Sequence, residues 1–237
     1  MFGGTRRRGR RGGGGGYLMF MLLQLFAQVQ RLERKPPATL AMMGAMIALY
    51  LQPELSSSSL GEVCLSPALV LRDLDLFRLV GSAFVHAGDM HLYYNMSSLL
   101  WKGVQIELAA GSAAFVAMCA TLLVLSHGLV VAVGYVLGPL TGAMPEAFTT
   151  CSVGFSGVLF ALKVVLNDGS PTHSYVMGMS VPTKYAAWAE LVIASMINPR
   201  ASFLGHLCGI AAGYAWTRGG VGRFVGARLA GGGDGAA

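Results

Sequence analysis

Two short glycine-flanked motifs carry the side chains most able to do chemistry. A serine lies in Gly154-Phe155-Ser156-Gly157 and a histidine in Gly205-His206-Leu207-Cys208-Gly209, each inside an apolar stretch about as long as a membrane span. A free hydroxyl is a weak nucleophile near neutral pH, and histidine, with an unperturbed pKa of about 6.5, is its commonest activating base. Polar side chains are costly in hydrocarbon and therefore mark functional sites there. The sequence thus predicts a serine hydrolase built inside a membrane, with Ser156 as nucleophile and His206 as general base.

Glycines around both residues indicate that two helices approach each other closely. Gly205, Gly209 and Gly213 repeat every four residues and so share one helix face, while Gly157 follows the serine directly. Small residues allow membrane helices to pack with their backbones close together, which a hydrogen bond between Ser156 and His206 requires. Such a pattern alone is typical of packing. Together with the two polar residues it predicts that the motif glycines support the site: Gly154, Gly157, Gly205 and Gly209.

A second polar pair precedes the serine in the chain. His91 and Asn95 are separated by four residues, so they share one face of a helix. Both can donate a hydrogen bond to the oxygen that becomes negative in a tetrahedral intermediate, and the backbone N–H of Ser156 can complete this oxyanion hole. No aspartate or glutamate accompanies them at that level of the helices. The sequence therefore predicts a Ser-His dyad without a third member, and no metal or organic cofactor.

Composition places these motifs in an integral membrane protein. Of 237 residues, 54% are hydrophobic and only 12% are charged, against about a quarter charged in soluble domains. The expected fold is all-α, a single bundle of six transmembrane helices. Several spans are shorter than the roughly 20 residues that a lipid-exposed helix needs, which suits helices inside a bundle. The expected spans are residues 38–51, 91–108, 113–136, 152–166, 183–197 and 203–216.

Basic residues predict the orientation of these spans. With a cytoplasmic N-terminus, 14 of the 17 lysines and arginines lie on the cytoplasmic side. The three on the opposite side are Arg72, Arg78 and Arg200. This asymmetry predicts that both termini are cytoplasmic. The second, fourth and sixth spans then run inward from the other side, which brings both polar pairs to a similar depth.

The two ends of the chain differ from the domain at 38–218. Residues 1–37 are predicted to be a disordered Arg/Gly-rich segment with a short interfacial helix, because the apolar stretch 17–27 is too short to span. Its arginines suit a topogenic role beside a membrane better than binding to RNA, so no nucleic-acid partner is expected. A cleaved signal peptide and a mitochondrial transit peptide remain alternatives for this segment. Residues 219–237 are predicted to be a disordered Gly-rich tail.

The four cysteines show no CxxC pair and no metal-binding pattern with histidine. They are Cys64, Cys119, Cys151 and Cys208. We interpret them as small apolar side chains. A disulfide between Cys64 and another cysteine stays open, since spacing gives no geometry for it.

The three motifs together resemble a known family. The HxxxN pattern at 91–95, the GxSG pattern at 154–157 and the GHxxG pattern at 205–209 are similar, in type and order, to the signature of the rhomboid intramembrane serine proteases. Residues 34–37, 153–167 and 181–191 further resemble the rhomboid-related protein 4 branch, whose animal member resides in the endoplasmic reticulum. The resemblance covers about residues 17–218 and implies the six-helix rhomboid bundle.

Roles follow from the resemblance position by position. It implies Ser156 as nucleophile, His206 as general base and acid, and His91 with Asn95 as oxyanion donors. His86 matches a family position near the mouth of the active site. These roles imply peptide-bond hydrolysis in or near the transmembrane segments of other membrane proteins.

The resemblance also implies structural features outside the site. Glu107, with Gly103 and Gly111 four residues to either side, is similar to a structural carboxylate at the end of the second helix. Residues 53–90 correspond to a lateral, partly membrane-embedded element. The usual Trp-Arg pair of that element is Phe77-Arg78 here.

Two other classes of function compete with the protease. A non-proteolytic rhomboid-like protein that binds membrane-protein clients has no need for both Ser156 and His206. A channel or transporter predicts polar groups in both halves of the membrane, whereas here they gather on one side. The expected partners are transmembrane protein substrates and the lipid bilayer, in the endoplasmic reticulum or, as an alternative, the mitochondrion. The sequence does not predict the oligomeric state.

Overall fold

The structure, a computed structural model, describes residues 15–52, 60–176, 179–197 and 202–231, and these are mostly α-helical. The helices in these ranges are α1 (Gly15–Gln30), α2 (Pro37–Leu51), α3 (Leu60–Val63), α4 (Pro67–Arg72), α5 (Arg78–Phe84), α6 (Asp89–Ala110), α7 (Ser112–Tyr135), α8 (Pro145–Thr149), α9 (Ser156–Asn167), α10 (Ala186–Ile197), α11 (Phe203–Thr217) and α12 (Val221–Gly231). A π-helical turn at Val136–Leu140 extends α7, and a 3-10 turn at Thr183–Tyr185 leads into α10.

Each of the six predicted spans coincides with a helix of the structure. These helices are α2, α6, α7, α9, α10 and α11, and most of their ends lie within a few residues of the expected ones. Within the described ranges, one continuous helical segment, Ser112–Leu140, is both long and apolar enough to cross a membrane unaided. The stretch expected to form an interfacial helix is part of α1. Residues 1–14 lie outside the described residues.

The expectation of an all-α fold is wrong at one connection. Two strands, β1 (His173–Val176) and β2 (Met179–Pro182), pair in an antiparallel hairpin between α9 and α10. The sequence Asp168-Gly169-Ser170-Pro171 ends α9, because glycine and proline interrupt helices. The short segments that follow contain valines and a tyrosine, which favour strands.

The expected disordered tail from residue 219 is also partly wrong. The structure places α12 at Val221–Gly231, and this helix lies against α7 and α11. Val221 and Val225, four residues apart and so on one helix face, are half-buried in that packing, whereas the glycine content of the segment predicts disorder. Residues 232–237 lie outside the described residues.

Helix α6 orders its neighbours through one carboxylate. Glu107 is buried at 2% exposure and accepts hydrogen bonds from the backbone N–H groups of Ala38 and Thr39, both at 2.8 Å. The hydroxyls of Thr39 and Ser112 donate to it at 2.7 and 2.6 Å. Glu107 therefore binds the free N–H groups at the start of α2 and holds the start of α7. These bonds give it the structural role that the resemblance implied.

The connections around α6 fix the directions of α2 and α7. Gly111 alone joins α6 to α7, with a φ of +86° that favours glycine. At the other end of α6, Tyr50 donates to Asp89 at 2.5 Å. Because Thr39 contacts the end of α6 and Tyr50 contacts its beginning, α2 runs antiparallel to α6.

A cluster of charges around the buried Lys102 joins α6, α9 and α10. Lys102 is 2% exposed and hydrogen bonds to Ser98, while its ammonium lies 3.6 Å from Glu190. Lys163 lies 3.3 Å from the other oxygen of Glu190 and 4.9 Å from the centre of the Trp101 ring. Buried charges need such partners, so this cluster fixes α10 beside α6 and α9.

An ion pair closes the far ends of α9 and α11. The Arg218 guanidinium donates to both oxygens of Asp168 at 2.5 to 3.1 Å. This hydrogen bonding holds the pKa of Asp168 below its usual range. The pair therefore keeps its charge at every physiological pH.

We expect Glu107→Gln to destabilise the fold by about 2 to 3 kcal/mol, because the amide NH2 puts a donor where a buried backbone N–H needs an acceptor. Thermal unfolding of the purified protein in detergent measures this effect. Glu62→Gln, at an exposed position of α3, is the matched control. Equal melting temperatures for the two variants would contradict the role assigned to Glu107.

Candidate functional site

Ser156 and His206 meet where α9 and α11 begin. The Nε2 atom of His206 lies 3.0 Å from the Oγ of Ser156, within hydrogen-bonding distance. Ser156 is the first residue of α9, and His206 lies in the first turn of α11. The Oγ of Ser202 accepts a hydrogen bond from the N–H of Gly205 at 3.0 Å and so caps α11. The structure thus brings the two predicted residues into direct contact.

The imidazole of His206 is buried and stacked on an aromatic ring. Its centre lies 4.4 Å from that of Phe160, with 31° between the planes. Within the described ranges, no hydrogen-bond partner reaches its Nδ1 atom. Phe160, and not a carboxylate, therefore orients the ring. We did not predict this role, although Phe160 lies four residues after Ser156 and so on the same helix face.

Glycines explain why the two helices come close enough for this bond. A Cβ on Gly209 would overlap the carbonyl group and Cα of Gly157. A Cβ on Gly213 would lie 2.8 Å from the carbonyl oxygen of Ala161. The residue numbers rise together along both helices, so α9 and α11 are parallel and their backbones touch.

His91 lies over the segment that leads into Ser156. A Cβ on Gly154, whose φ is +113°, would lie 2.6 and 2.7 Å from the Cε1 and Nε2 atoms of His91. The backbone N–H of Ala87 donates to the Nδ1 of His91 at 3.4 Å. An accepting Nδ1 leaves the ring proton on Nε2, which makes that atom a donor beside Gly154.

Asn95 and His86 complete the polar group on this side. One of the two N–H groups of the Asn95 amide donates a hydrogen bond to the backbone carbonyl of His91 at 2.8 Å. The second N–H group stays available as a donor. The ring of His86 lies 5.1 Å from that of His91. Burial lowers the pKa of His86, which precedes α6, to about 3. His86 is therefore neutral at physiological pH.

Comparison with known proteins identifies the family. A family model described as the rhomboid domain matches residues 73–222, which is more than half of the chain. The chain belongs to the rhomboid family. It is therefore a membrane protein.

Comparison with individual proteins shows to which rhomboids this chain is similar. It is 44% identical to Rhomboid-like protein 14, mitochondrial, of Arabidopsis thaliana, over 85% of this chain and 61% of that protein. It is 38% identical to Rhomboid-related protein 4 of Mus musculus, over 84% of this chain and 62% of that protein. Identity to Rhomboid-type serine protease 2 of Eremothecium gossypii is 31%, over 65% of this chain and 56% of that protein. The chain thus spans about three fifths of the length of these relatives.

A disulfide anchors the segment before Ser156 in this rhomboid. Cys64 and Cys151 are bonded across 87 residues of sequence. Next to them, Leu65 and Ser152 exchange backbone hydrogen bonds of 2.8 and 3.0 Å, and the N–H of Gly154 donates to the carbonyl of Ser82 at 2.8 Å. The segment 151–154 is therefore fixed at three places to the element that precedes α6.

The disulfide corrects our interpretation of the cysteines. Cys64 and Cys151 are paired and are not apolar fillers, in agreement with the alternative of a disulfide at Cys64. Cys119 and Cys208 are free and buried, as expected for small apolar side chains. The pairing was not predictable because 87 residues separate the two partners.

Arg78 organises the element to which the disulfide is attached. Its guanidinium donates to the carbonyl oxygens of Gly61 and Cys64 at 2.9 and 3.0 Å and forms an ion pair with Asp75 at 2.8 Å. The neighbouring ring of Phe77 is 67% exposed. The arginine of the Phe77-Arg78 pair therefore keeps its contacts although the indole of the usual tryptophan is absent.

We expect Gly209→Ala to lower the free energy of unfolding by about 1 to 3 kcal/mol and to weaken any activity, because the added methyl group pushes α11 away from Gly157. Thermal unfolding and the cleavage assay described below measure the two effects. Gly128→Ala in α7 is the control, since a Cβ there meets open space. If Gly209→Ala behaved like this control, the close contact would not be required.

We expect Cys64→Ser and Cys151→Ser each to destabilise the protein by up to roughly 4 to 5 kcal/mol, the chain-entropy value for a loop of this length. Melting temperatures with and without a reducing agent measure the effect. The agent should lower the melting temperature of the wild type and leave both variants unchanged. Cys119→Ala controls for the loss of a buried thiol, and an insensitive wild type would refute the disulfide.

Proposed function

We propose that this rhomboid is an intramembrane serine protease that hydrolyses peptide bonds in or near transmembrane segments of other membrane proteins. The observation that carries the proposal is the distance of 3.0 Å between the Ser156 hydroxyl and the His206 imidazole. A nucleophile within hydrogen-bonding reach of a base is the geometry that acyl transfer needs. The name of the Eremothecium relative, a serine protease, agrees with this chemistry.

The reaction uses the two side chains in sequence. Ser156 attacks the peptide carbonyl while the Nε2 of His206 takes the hydroxyl proton. The same proton passes to the leaving amine, and an acyl-enzyme remains on Ser156. Water, deprotonated by His206, then releases the new carboxyl group and restores the serine.

Groups around Ser156 can stabilise the negative oxygen of both tetrahedral intermediates. We assign this role to the Nε2–H of His91, the free N–H of Asn95 and the backbone N–H of Ser156. His91 contacts Gly154, two residues before the nucleophile. The disulfide and two backbone contacts fix segment 151–154, which leads into Ser156, so the backbone donor of Ser156 is held in place before substrate binds.

We propose that α2, α6, α7, α9, α10 and α11 span the membrane as one bundle. The parallel directions of α9 and α11 and the antiparallel direction of α2 against α6 support this arrangement. Ser156 and His206 then lie below one membrane surface in a cavity that admits water. A helical substrate must unwind there, because its carbonyls are engaged in the helix ladder.

The organelle follows from the relatives and is part of the proposal. The resemblance to the rhomboid-related protein 4 branch implies the endoplasmic reticulum, and the similarity to Rhomboid-related protein 4 of Mus musculus agrees with that branch. The printed name of the Arabidopsis relative favours the mitochondrion. Substrates are membrane proteins with weak transmembrane helices.

We expect purified wild-type protein in liposomes to cleave a single-span reporter substrate, and Ser156→Ala and His206→Ala to lose at least about a thousandfold in rate. His91→Ala should lose on the order of a hundredfold, the usual effect of removing one oxyanion donor. Gel analysis with mass spectrometry of the products measures the rates and locates the cut.

Matched controls come from the same chain. Ser180→Ala and His173→Ala change an exposed serine and an exposed histidine, and both should retain the wild-type rate. Cleavage by Ser156→Ala would refute the assigned nucleophile. A wild type that binds the reporter without cleaving it would favour the non-proteolytic, client-binding alternative.

A further inference from the structure

Helix α1 runs alongside α6 instead of across its end. At the first end of both helices, the Tyr17 hydroxyl donates to the Sδ of Met90 at 3.4 Å. Three residues further along α6 and seven further along α1, the Tyr93 hydroxyl donates to the side-chain oxygen of Gln24 at 3.0 Å. Contacts at successive levels show that the two helices share a direction.

The contact continues to the other end of α6. Gln28 near the end of α1 and Leu32, two residues past that end, line a shallow groove with α6. The residues of this groove are Gln28, Leu32, Leu100, Trp101, Val104 and Gln105. Helix α1 thus follows α6 from Met90 to Gln105, about 22 Å at 1.5 Å per residue. A helix lying flat in the membrane interface would touch an upright neighbour at one level only.

The two long faces of α1 have different surroundings. Met21 and Leu25, four residues apart, are each 3% exposed and face the bundle. Met19, Phe20, Leu23 and Phe26 are 55 to 60% exposed on the other side. Exposed apolar side chains along the whole length of a helix parallel to a membrane span match lipid hydrocarbon.

We propose that α1 is an additional transmembrane helix with its outer face against lipid, so that it begins on the same side of the membrane as Ser156. The proposal rests on the spanning of α6 stated under Proposed function. It replaces the interfacial helix expected from the sequence. The 16 residues of α1 match the 15 residues of α2, which returns along α6 in the opposite direction.

This placement changes the argument from basic residues. The five arginines between positions 6 and 11 precede α1 in the sequence, so their charges are counted with the side of the membrane on which α1 begins. The split of 14 against 3 then becomes 9 against 8. Counting basic residues no longer decides which side faces the cytoplasm, whereas the relative sides of the helix ends remain fixed.

Cysteine labelling in sealed membrane vesicles tests the relative sides. Single variants Gly16→Cys at the start of α1, Gln52→Cys after α2 and Gly226→Cys in α12, beyond the end of α11, are treated with a membrane-impermeant maleimide before and after detergent. A Cβ meets open space at positions 16 and 226, and position 52 is exposed. We expect positions 16 and 52 to share one labelling pattern and position 226 to show the opposite one.

The parent chain sets the background, because its cysteines are buried or paired. Position 16 behaving like position 226, with position 52 opposite, would overturn the proposal and leave the six-helix core intact. If positions 52 and 226 were labelled from the same side, the six-helix core would be contradicted, and the placement of α1 would fail together with it. Wild-type melting temperatures for all three variants confirm that the label reports the native fold.

Discussion

The rest of the site depends on the direct backbone contact between α9 and α11. Within a membrane there is no hydrophobic force that drives helices together, so van der Waals packing must do so. Gly157 and Gly209 permit this packing because neither carries a side chain. The 3.0 Å contact between Ser156 and His206 is its geometric result. Any side chain at the glycine contact would separate the helices and break that hydrogen bond.

Helix α6 extends this geometry to the other helices. At one end Glu107 holds the starts of α2 and α7, and near its middle Lys102 pairs with Glu190 of α10. At the other end His91 contacts Gly154. Helix α6 therefore sets the depth of His91 beside Ser156. The disulfide and the neighbouring backbone hydrogen bonds hold segment 151–154, which leads into Ser156.

Local signals made the main features predictable. Apolar stretches predict the six helices, and the glycine motifs predict the contact between Ser156 and His206. Both signals depend only on residues that are close together in the sequence. The disulfide of Cys64 and Cys151 and the pairing of Lys102 with Glu190 were not predictable, since each joins residues more than 80 positions apart. The hairpin is not predicted because two strands of four residues carry little periodic signal, and α12 is missed because glycine content predicts disorder from residue 219.

The short helices have a consequence for the surrounding bilayer. Helix α10 has 12 residues and rises roughly 18 Å, against roughly 30 Å for the hydrocarbon core of an average membrane. Its Val192 and Met196 are exposed and meet lipid directly in the proposed bundle. Lipids beside α10 must then compress, while those beside the much longer α7 need not. In the proposed bundle, such hydrophobic mismatch favours residence in a thin bilayer.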